Sequence, residues 1–386
     1  MNASDYIKWR GDLSFETDPF NEIDGLIFAY ISYLDIAEFV EKEGTRLSKV
    51  AKEFTAKYKE SVMSSYATHV KFAAECFELA GKSKRFRNCV IHDCVNEFHA
   101  DRAEQFFACM FDVPYSPGVV AFRGTDASMI GWKEDLILSY GDIPSQFDAV
   151  LYLQNYCKWH KKYRVVGHSK GGNLAQYSVM HAPKDVQRRI VQFINYDGPG
   201  IPYDVYEGID EKIKEKFIKV IPDSDVVGTI YHNDSNTIIA KASEEYIKAH
   251  NAQFWEVMGN SFVTCKEVLD ETVMIKDAFD SFIVETTAEQ KAVFVSKVFD
   301  KLFENGIETV GDMINFGPSK TIKLIKSMME LDDEVKEVGS LFIKKFSDVF
   351  TDEFNERIDD KRKRIRNRVK LVGGQTIDSI FGKGKN

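Results

Sequence analysis

The segment Arg164-Val-Val-Gly-His-Ser-Lys-Gly-Gly-Asn173 contains the pentapeptide Gly167-His-Ser-Lys-Gly171, which fits the pattern G-x-S-x-G. The compact apolar run Tyr163 to Gly167 is typical of a buried strand, and Asn173 to His181 is typical of a helix. A sharp turn between a strand and a helix exposes the serine hydroxyl, and the two glycines relieve the crowding around it. The pattern predicts Ser169 as a nucleophile. The alternative interpretation is a tightly packed turn in which Ser169 only caps the helix.

Apolar runs on both sides of this segment predict a sheet whose strands alternate with helices. The predicted strands are Asn88 to Phe98, Gln105 to Val113, Gly118 to Arg123, Val191 to Tyr196 and Phe217 to Ile221, and Trp132 to Lys161 is mostly helical. Strands separated by helices are typical of βαβ units. The expected fold class is therefore α/β, with a mostly parallel sheet.

Both ends of the chain are predicted to be helical. Up to about Lys82, apolar residues recur at three- and four-residue spacing, the pattern of an amphipathic helix. After about Val263 the strand signal fades, and Thr287-Ala-Glu-Gln290 fits a capping box that opens a helix through about Phe303. We therefore expect an α/β unit with N-terminal helices over residues 1–262 and a helical C-terminal region over residues 263–386.

Composition excludes several classes of protein. The chain has 386 residues, of which 44% are hydrophobic and 29% charged, and its formal net charge is -9. It is long enough to bury a large core, so disorder of the whole chain is excluded, and the acidic balance argues against a nucleic-acid partner. The six cysteines are widely spaced and the N-terminus has no signal-peptide pattern, so we expect a reduced, cytoplasmic protein.

No metal site or organic cofactor is predicted. Cys89, His92, Cys94 and His99 lie close together in the sequence. Their spacing fits neither a C-x-x-C pair nor an H-x-x-x-H helix, which are the arrangements that commonly bind zinc.

A serine nucleophile needs a base, which the downstream histidines can supply. In strand–turn–helix sites of this kind the acid and the base follow the serine in the chain. His181 ends the helix after the serine, which is expected to place it on the wrong side of the sheet. His232 comes soon after the candidate acid, where a plain loop histidine is the alternative interpretation. His250 has aromatic residues nearby that can pack against its ring, so the sequence favours His250.

The acid is expected directly after a strand. Asp223 and Asp225 follow the strand that begins at Phe217, and Asp197 follows the preceding strand. These three carboxylates remain candidates. A hairpin is expected near Thr237 to Ala240, between the acid and the base.

Two backbone amides are candidates for the oxyanion hole. One is the amide of Lys170, directly after the serine. The other is the amide of Thr125, helped by its hydroxyl, at the end of the strand that begins at Gly118. The alternative for the second segment is a capped turn with Arg123 in a structural ion pair. The Lys170 side chain is expected to meet either an anionic group of a substrate or solvent.

The segment Lys361 to Lys370 is strongly basic with a thin apolar face. One interpretation is a peripheral membrane contact with anionic lipid. The other is a solvated helix face that pairs with the acidic stretch Asp348 to Asp360, and the narrow apolar face favours this interpretation.

The sequence also resembles a known family. Phe122-Arg-Gly-Thr-Asp126 followed by Gly167-His-Ser-Lys-Gly171 resembles the class 3 (fungal-type) lipases within the α/β-hydrolases. With Tyr6-Ile-Lys-Trp-Arg-Gly-Asp-Leu-Ser-Phe15, Gly131-Trp-Lys-Glu-Asp135 and Asp197-Gly-Pro-Gly200, the chain is more closely similar to a bacterial family of lipase-like hydrolases of poorly characterised function. The resemblance covers roughly residues 5 to 260 and implies an α/β-hydrolase fold.

The resemblance implies a role for each matching residue. Ser169 corresponds to the nucleophile, Thr125 to an oxyanion-hole residue, Asp225 to the acid and His250 to the base. In the bacterial family the position of Asp225 is not reliably acidic, which keeps the other two aspartates open. By the same analogy, residues 126 to 148 correspond to a lid.

The implied function is a serine esterase or lipase acting on a small acyl ester, thioester or lipid. A second hypothesis is a catalytically silent binding or scaffold protein that works through its C-terminal helices. A peptidase with the same three residues is the third and weakest hypothesis.

Overall fold

The architecture is an eight-stranded sheet covered by helices on both faces, with the strands in chain order across the sheet. The computed structural model describes residues 1–64, 67–99, 104–125, 129–138, 140–231, 236–245, 248–307, 327, 330–341 and 344. The strands are β1 (Thr45–Arg46), β2 (Val90–His99), β3 (Glu104–Asp112), β4 (Gly118–Phe122), β5 (Tyr163–His168), β6 (Ile190–Tyr196), β7 (Phe217–Pro222) and β8 (Thr237–Ala240). A separate antiparallel pair consists of β9 (Val257–Met258) and β10 (Ser261–Phe262).

The sheet changes direction at β4. The pairs from β1 to β4 are antiparallel, and the pairs from β4 to β8 are parallel. The expected α/β class with a mostly parallel sheet is confirmed, and the architecture is that of an α/β-hydrolase fold. The expected hairpin near Thr237 to Ala240 is wrong, because these residues form β8, which lies parallel to β7.

Helices cover the sheet on both faces because the central strands are buried on both sides. The helices are α1 (Ala3–Arg10), α2 (Glu22–Ile31), α3 (Leu47–Ser64), α4 (Thr68–Lys82), α5 (Met129–Ile137), α6 (Pro144–Tyr156), α7 (Lys170–His181), α8 (Lys184–Gln187), α9 (Tyr203–Glu207), α10 (Glu211–Lys214), α11 (Asp270–Glu285) and α12 (Ala288–Glu304). Val165 belongs to the core formed with α6 and α7, and its neighbour Val166 to the core formed with α1 to α4. The continuous apolar run of β5 therefore serves two cores.

The helices α11 and α12 follow the sheet. Thr287 begins α12 with a capping box, because its hydroxyl accepts a hydrogen bond from Gln290 N at 3.1 Å and Gln290 Oε1 accepts one from Thr287 N at 2.9 Å. Val295 and Phe299 of α12 form a small apolar cluster with Ile137 of α5. The expected basic segment Lys361 to Lys370 lies outside the described residues, as does the acidic stretch before it.

Among the residues placed in the structure, no helix combines the length and the apolar composition needed to cross a membrane. The six cysteines all lie within the described part of the chain, and each is a free thiol.

Candidate active site

The turn between β5 and α7 holds Ser169 in a strained backbone conformation, with φ 59° and ψ -131°. A Cβ atom at Gly167 would lie 2.0 Å from the carbonyl oxygen of Gly171, and one at Gly171 would lie 2.3 Å from that of Phe122. Side chains are therefore excluded at both positions. This crowding is the physical reason for the glycine spacing in the motif.

The serine lies beside a histidine that comes from the loop after β8. Ser169 Oγ is 2.9 Å from His250 Nε2. On the other side of the ring, His250 Nδ1 is 2.8 Å from Asp197 Oδ2 and 3.1 Å from Asp225 Oδ2. Asp197 follows β6, the neighbour of β5, and Asp225 follows β7, the neighbour of β6, so both carboxylates lie at the carboxyl ends of parallel strands. The structure thus brings together four of the candidate side chains.

The remaining candidates lie elsewhere. The carboxylate of Asp223 accepts hydrogen bonds from Ala242 N at 3.1 Å and from Cys265 Sγ at 3.3 Å, so it joins the segments after β8 and β10. His181, at the end of α7, has its Nδ1 2.9 Å from the carbonyl oxygen of Tyr177. His232 lies outside the described residues.

The charges around His250 act strongly on one another. Burial lowers the pKa of His250, but the hydrogen bonds and charges of Asp197 and Asp225 outweigh it and raise the pKa to about 10. Burial, together with the charge of Asp225, raises the pKa of Asp197 well above its usual range. Burial alone would raise the pKa of Asp225 too, but its hydrogen bond with His250 outweighs burial and lowers it.

The candidate oxyanion hole is formed by two segments that meet beside Ser169. Lys170 is the first residue of α7, and an N–H group at the first helical position has no carbonyl acceptor within the helix. The hydroxyl of Thr125, expected to help its own amide, donates a hydrogen bond to Asp135 Oδ1 at 2.8 Å. Burial raises the pKa of Asp135 to about 6, although the charge of Lys170 and the bond from Thr125 act to lower it.

The Lys170 side chain does not lie in solvent, which corrects one of the two expectations for it. It is buried, and its Nζ donates hydrogen bonds to Glu134 Oε2 at 2.5 Å and to the carbonyl oxygen of Gln105 at 2.7 Å. Ser145 Oγ donates to the other oxygen of Glu134 at 2.5 Å. The ion pair therefore fixes α5 against the start of α7.

Arg123 makes the structural ion pair considered as an alternative from the sequence. Its Nη2 lies 2.9 Å from Asp35 Oδ1, and its Nε donates to the carbonyl oxygen of Ser32 at 2.6 Å. These bonds attach the strand end before Thr125 to the segment after α2.

The contacts of His168 were missed from the sequence. This buried histidine directly precedes Ser169; its Nδ1 lies 2.9 Å from Tyr33 Oη and its Nε2 lies 2.8 Å from the carbonyl oxygen of His250. Burial lowers the pKa of His168 well below its usual range, so the ring is neutral, with the hydrogen on Nε2 and Nδ1 accepting from Tyr33. His168 therefore holds the main chain of His250. The sequence signal is only a polar ring in a buried strand, and it does not name the partner.

Asp197, Asp225 and His250 are also the described residues whose potential ligand atoms come close enough to hold a metal ion, within 4.8 Å of one another. The same atoms form the hydrogen bonds described above. A metal ion at this position would displace the Nδ1 hydrogen of His250 and would leave its Nε2 facing Ser169.

Comparison with known proteins gives one family. The Mbeg1-like family model matches residues 80–300, a range that includes Thr125, Ser169, Asp197, Asp225 and His250. No curated protein matches the chain.

Two solved structures are remotely similar. The crystal structure of M37 lipase is 18% identical with a TM-score of 0.34, and the match covers 54% of this chain and 69% of that one. Lipase II from Rhizopus niveus is 15% identical with a TM-score of 0.30, and the match covers 55% of this chain and 88% of that one. Because the family model matches more than half of the sequence, the chain belongs to the Mbeg1-like family.

Proposed function

We propose that the protein is a serine acyl hydrolase that cleaves carboxylic ester or thioester bonds. The observation that carries the proposal is the continuous hydrogen-bonded chain from Ser169 Oγ through both ring nitrogens of His250 to a buried carboxylate. A serine hydroxyl is a weak nucleophile unless a base removes its proton as it attacks. This geometry supplies such a base at 2.9 Å, with its ring oriented from the far side.

In the proposed reaction, Ser169 Oγ forms a bond to the acyl carbon while His250 Nε2 takes the hydroxyl proton. His250 then gives that proton to the leaving group as the bond from the acyl carbon to it breaks. Water attacks the acyl-enzyme with His250 again as the base, which releases the carboxylic acid and restores Ser169. The Nδ1 hydrogen of His250 stays with the carboxylates, which stabilise the imidazolium formed in each step.

The amides of Lys170 and Thr125 are proposed to stabilise the oxyanion of the tetrahedral intermediate. Removing one such donor commonly lowers kcat about a hundredfold to a thousandfold. Asp135 fixes the side chain of Thr125 and so positions the second amide. The ion pair between Lys170 and Glu134 holds the start of α7, where the first amide lies.

The substrate class follows from the chemistry of the site. Each proposed step uses side chains or amides of this chain, and the reacting bond is an activated acyl bond such as an ester or a thioester. The cation of Lys170 is paired with Glu134, so we assign it no role in recognising an anionic substrate. Small acyl esters and lipid esters are therefore the first substrates to test.

Labelling by a fluorophosphonate probe tests the proposal. We expect the native chain to be labelled and Ser169→Ala and His250→Ala to lose labelling. Ser261→Ala, an exposed serine on β10, and His181→Ala, an exposed histidine at the end of α7, are matched controls that should label like the native chain. Absence of labelling and of ester or thioester hydrolysis by the folded native chain would contradict the proposal and favour a non-catalytic binding protein.

A further inference from the structure

We propose that Asp197 and Asp225 act as a single unit that shares one proton, so that either carboxylate alone can orient His250. This inference rests on the proposed hydrolase function and adds to it. In a Ser-His-Asp triad, one carboxylate contacts the histidine ring nitrogen that faces away from the serine. Here, two carboxylates converge on the same ring nitrogen.

The geometry requires the two acids to share one partner. His250 Nδ1 carries one hydrogen, yet Asp197 Oδ2 lies 2.8 Å and Asp225 Oδ2 3.1 Å from this atom. Asp197 is 0% exposed and Asp225 is 3% exposed, so water does not separate their charges. Two carboxylates held this close in a buried site resist being ionised together, and they titrate as a pair.

Each acid is held by its own backbone donor. Gly228 N donates to Asp197 Oδ1 at 3.0 Å, and Val227 N donates to Asp225 Oδ2 at 3.2 Å. A Cβ atom at position 228 would lie 2.2 Å from Asp197 Oδ1, so only glycine lets this amide approach. The turn after β7 therefore supports the acid after β6 as well as its own, and Asp197 is as firmly placed as Asp225.

The left-handed backbone of Asp197 is a second sign that its position is built into the fold. Its φ is 51°, in the region that favours glycine. The strained turn is fixed by Asn195, whose Oδ1 accepts a hydrogen bond from Gly198 N at 2.8 Å. A Cβ atom at Gly198 would lie 2.1 Å from the carbonyl oxygen of Ser169, so this turn packs directly on the nucleophile.

The shared proton belongs on Asp197 when the enzyme is at rest. Burial and the charge of Asp225 raise the pKa of Asp197, whereas the hydrogen bond with His250 outweighs burial and lowers the pKa of Asp225. Protonated Asp197 then donates to ionised Asp225, and the pair presents one negative charge to the imidazole. Two full charges would favour the imidazolium more strongly and would withdraw the base that Ser169 needs.

Other charged or titratable groups face this cluster from neighbouring elements. Lys219 on β7 donates from Nζ to the carbonyl oxygen of Gly198, and burial lowers its pKa to about 7, although the charge of Asp197 acts to raise it. Asp135 on α5 interacts with the charge of His250, which acts to lower the pKa of that carboxyl. The ring of His168 on β5 lies 4.9 Å from the ring of His250, centroid to centroid, and is kept neutral by burial.

Asparagine substitutions test the pair. Asp197→Asn replaces a neutral acid by a neutral amide of the same shape, so Asp225 continues to orient His250. Burial and the charge of Asp225 both raise the pKa of Asp197, and Asp225→Asn removes the second of these causes, whereas the hydrogen bond and charge of His250 continue to lower this pKa. Asp197 then ionises opposite His250 and takes over. We expect each single variant to keep kcat/KM within about tenfold of the native value and the double variant to lose about a thousandfold or more, a strongly non-additive result.

The matched control is Asp223→Asn, an aspartate two residues from Asp225 whose carboxylate bonds Ala242 and Cys265 instead of His250. Its kcat/KM should stay near the native value. Thermal unfolding of every variant shows whether it is folded. The proposal of a shared pair is wrong if kcat/KM of one single variant falls as far as that of the double variant while kcat/KM of the other single variant matches the native value. One acid then works alone.

A second measurement separates the pair from the hydrolase proposal. The Nδ1 proton of a histidine bonded to a carboxylate gives a low-field signal in proton NMR, and this signal needs no turnover. We expect the signal in the native chain and in both single variants, and its loss in the double variant and in His250→Ala. Loss in one single variant alone overturns the pair, even if the native chain hydrolyses no ester. A normal signal pattern without hydrolysis contradicts the hydrolase proposal only.

Discussion

Two pairs of carboxylates lie near Ser169, and they have different hydrogen-bond partners. On α5, Glu134 meets the ammonium of Lys170, and Asp135 accepts a hydrogen bond from the hydroxyl of Thr125. At the ends of β6 and β7, Asp197 and Asp225 both face the titratable ring of His250. The difference separates two uses of buried charge: a carboxylate paired with a permanent cation fixes structure, whereas carboxylates facing an imidazole control where a proton resides.

Breaking the ion pair between Lys170 and Glu134 of α5 should mainly lower the free energy of unfolding. Lys170→Met leaves Glu134 buried without its cation, so we expect the free energy of unfolding to fall by about 3–5 kcal/mol. The double variant Lys170→Met/Glu134→Gln should recover much of that loss, because no charge is then left unpaired. Denaturant unfolding measures both values.

The control for this substitution is Lys276→Met, which removes an i,i+4 pair with Asp280 on the surface of α11. Its effect should be at most about 0.5 kcal/mol. If Lys170→Met is no more destabilising than this control, the ion pair between Lys170 and Glu134 does not fix α5 against the start of α7.

The carboxylates of Asp197 and Asp225, at the ends of β6 and β7, should instead set the pH dependence of the activity. The two carboxylates raise the pKa of His250, so the imidazolium persists to higher pH and the free base forms only above it. Activity should therefore rise with pH, and the midpoint of the acidic limb of the kcat/KM profile should lie above the ordinary histidine value of about 6.5. A profile that is flat down to that value, in a chain that circular dichroism shows to be folded, would be inconsistent with this arrangement.

The hydrogen bond from the Thr125 hydroxyl to Asp135 of α5 can be tested separately from the ion pair between Lys170 and Glu134. Thr125→Val removes the hydrogen bond to Asp135 but keeps the shape of the side chain and the amide, so we expect kcat to fall about tenfold with KM little changed. Thr125→Ser, which keeps the hydroxyl, is the matched control. Equal kinetics for the two variants would show that Asp135 does not position this amide.

The smallest expected effect concerns Tyr33, which contacts His168, the residue that holds the main chain of His250. Tyr33→Phe removes the hydrogen bond to His168 and leaves the aromatic packing, so we expect kcat to fall about threefold to tenfold, in line with the loss of one hydrogen bond of about 1 kcal/mol. His181→Ala serves as the histidine control outside the site. Rising KM with unchanged kcat would indicate that Tyr33 acts on substrate binding instead.

Local sequence patterns predicted the parts of the molecule that depend on local physics. The apolar run before Gly167 predicted β5, and the glycine spacing predicted a crowded turn at Ser169, because both follow from steric limits within a few residues. Thr237 to Ala240 shows the limit of this approach. The sequence predicted a hairpin there, but these residues form β8, whose parallel pairing with β7 depends on the path of the whole connection.

The parts that sequence reasoning missed depend on contacts between distant segments. Lys170 pairs with Glu134 across 36 residues, and His168 meets Tyr33 across 135 residues. From the sequence, Asp197 and Asp225 were competing candidates for one role. The convergence of both on His250 depends on β6 and β7 being adjacent, and on an amide at Gly228 that only the folded chain brings to Asp197.

The most direct test of the proposed hydrolase is to identify the residue that a fluorophosphonate modifies, by mass spectrometry of peptides from the labelled native chain. We expect modification of Ser169 alone, and no modification in the chain carrying His250→Ala. Modification of another serine, or none on a native chain that is folded by circular dichroism, would contradict the proposed function.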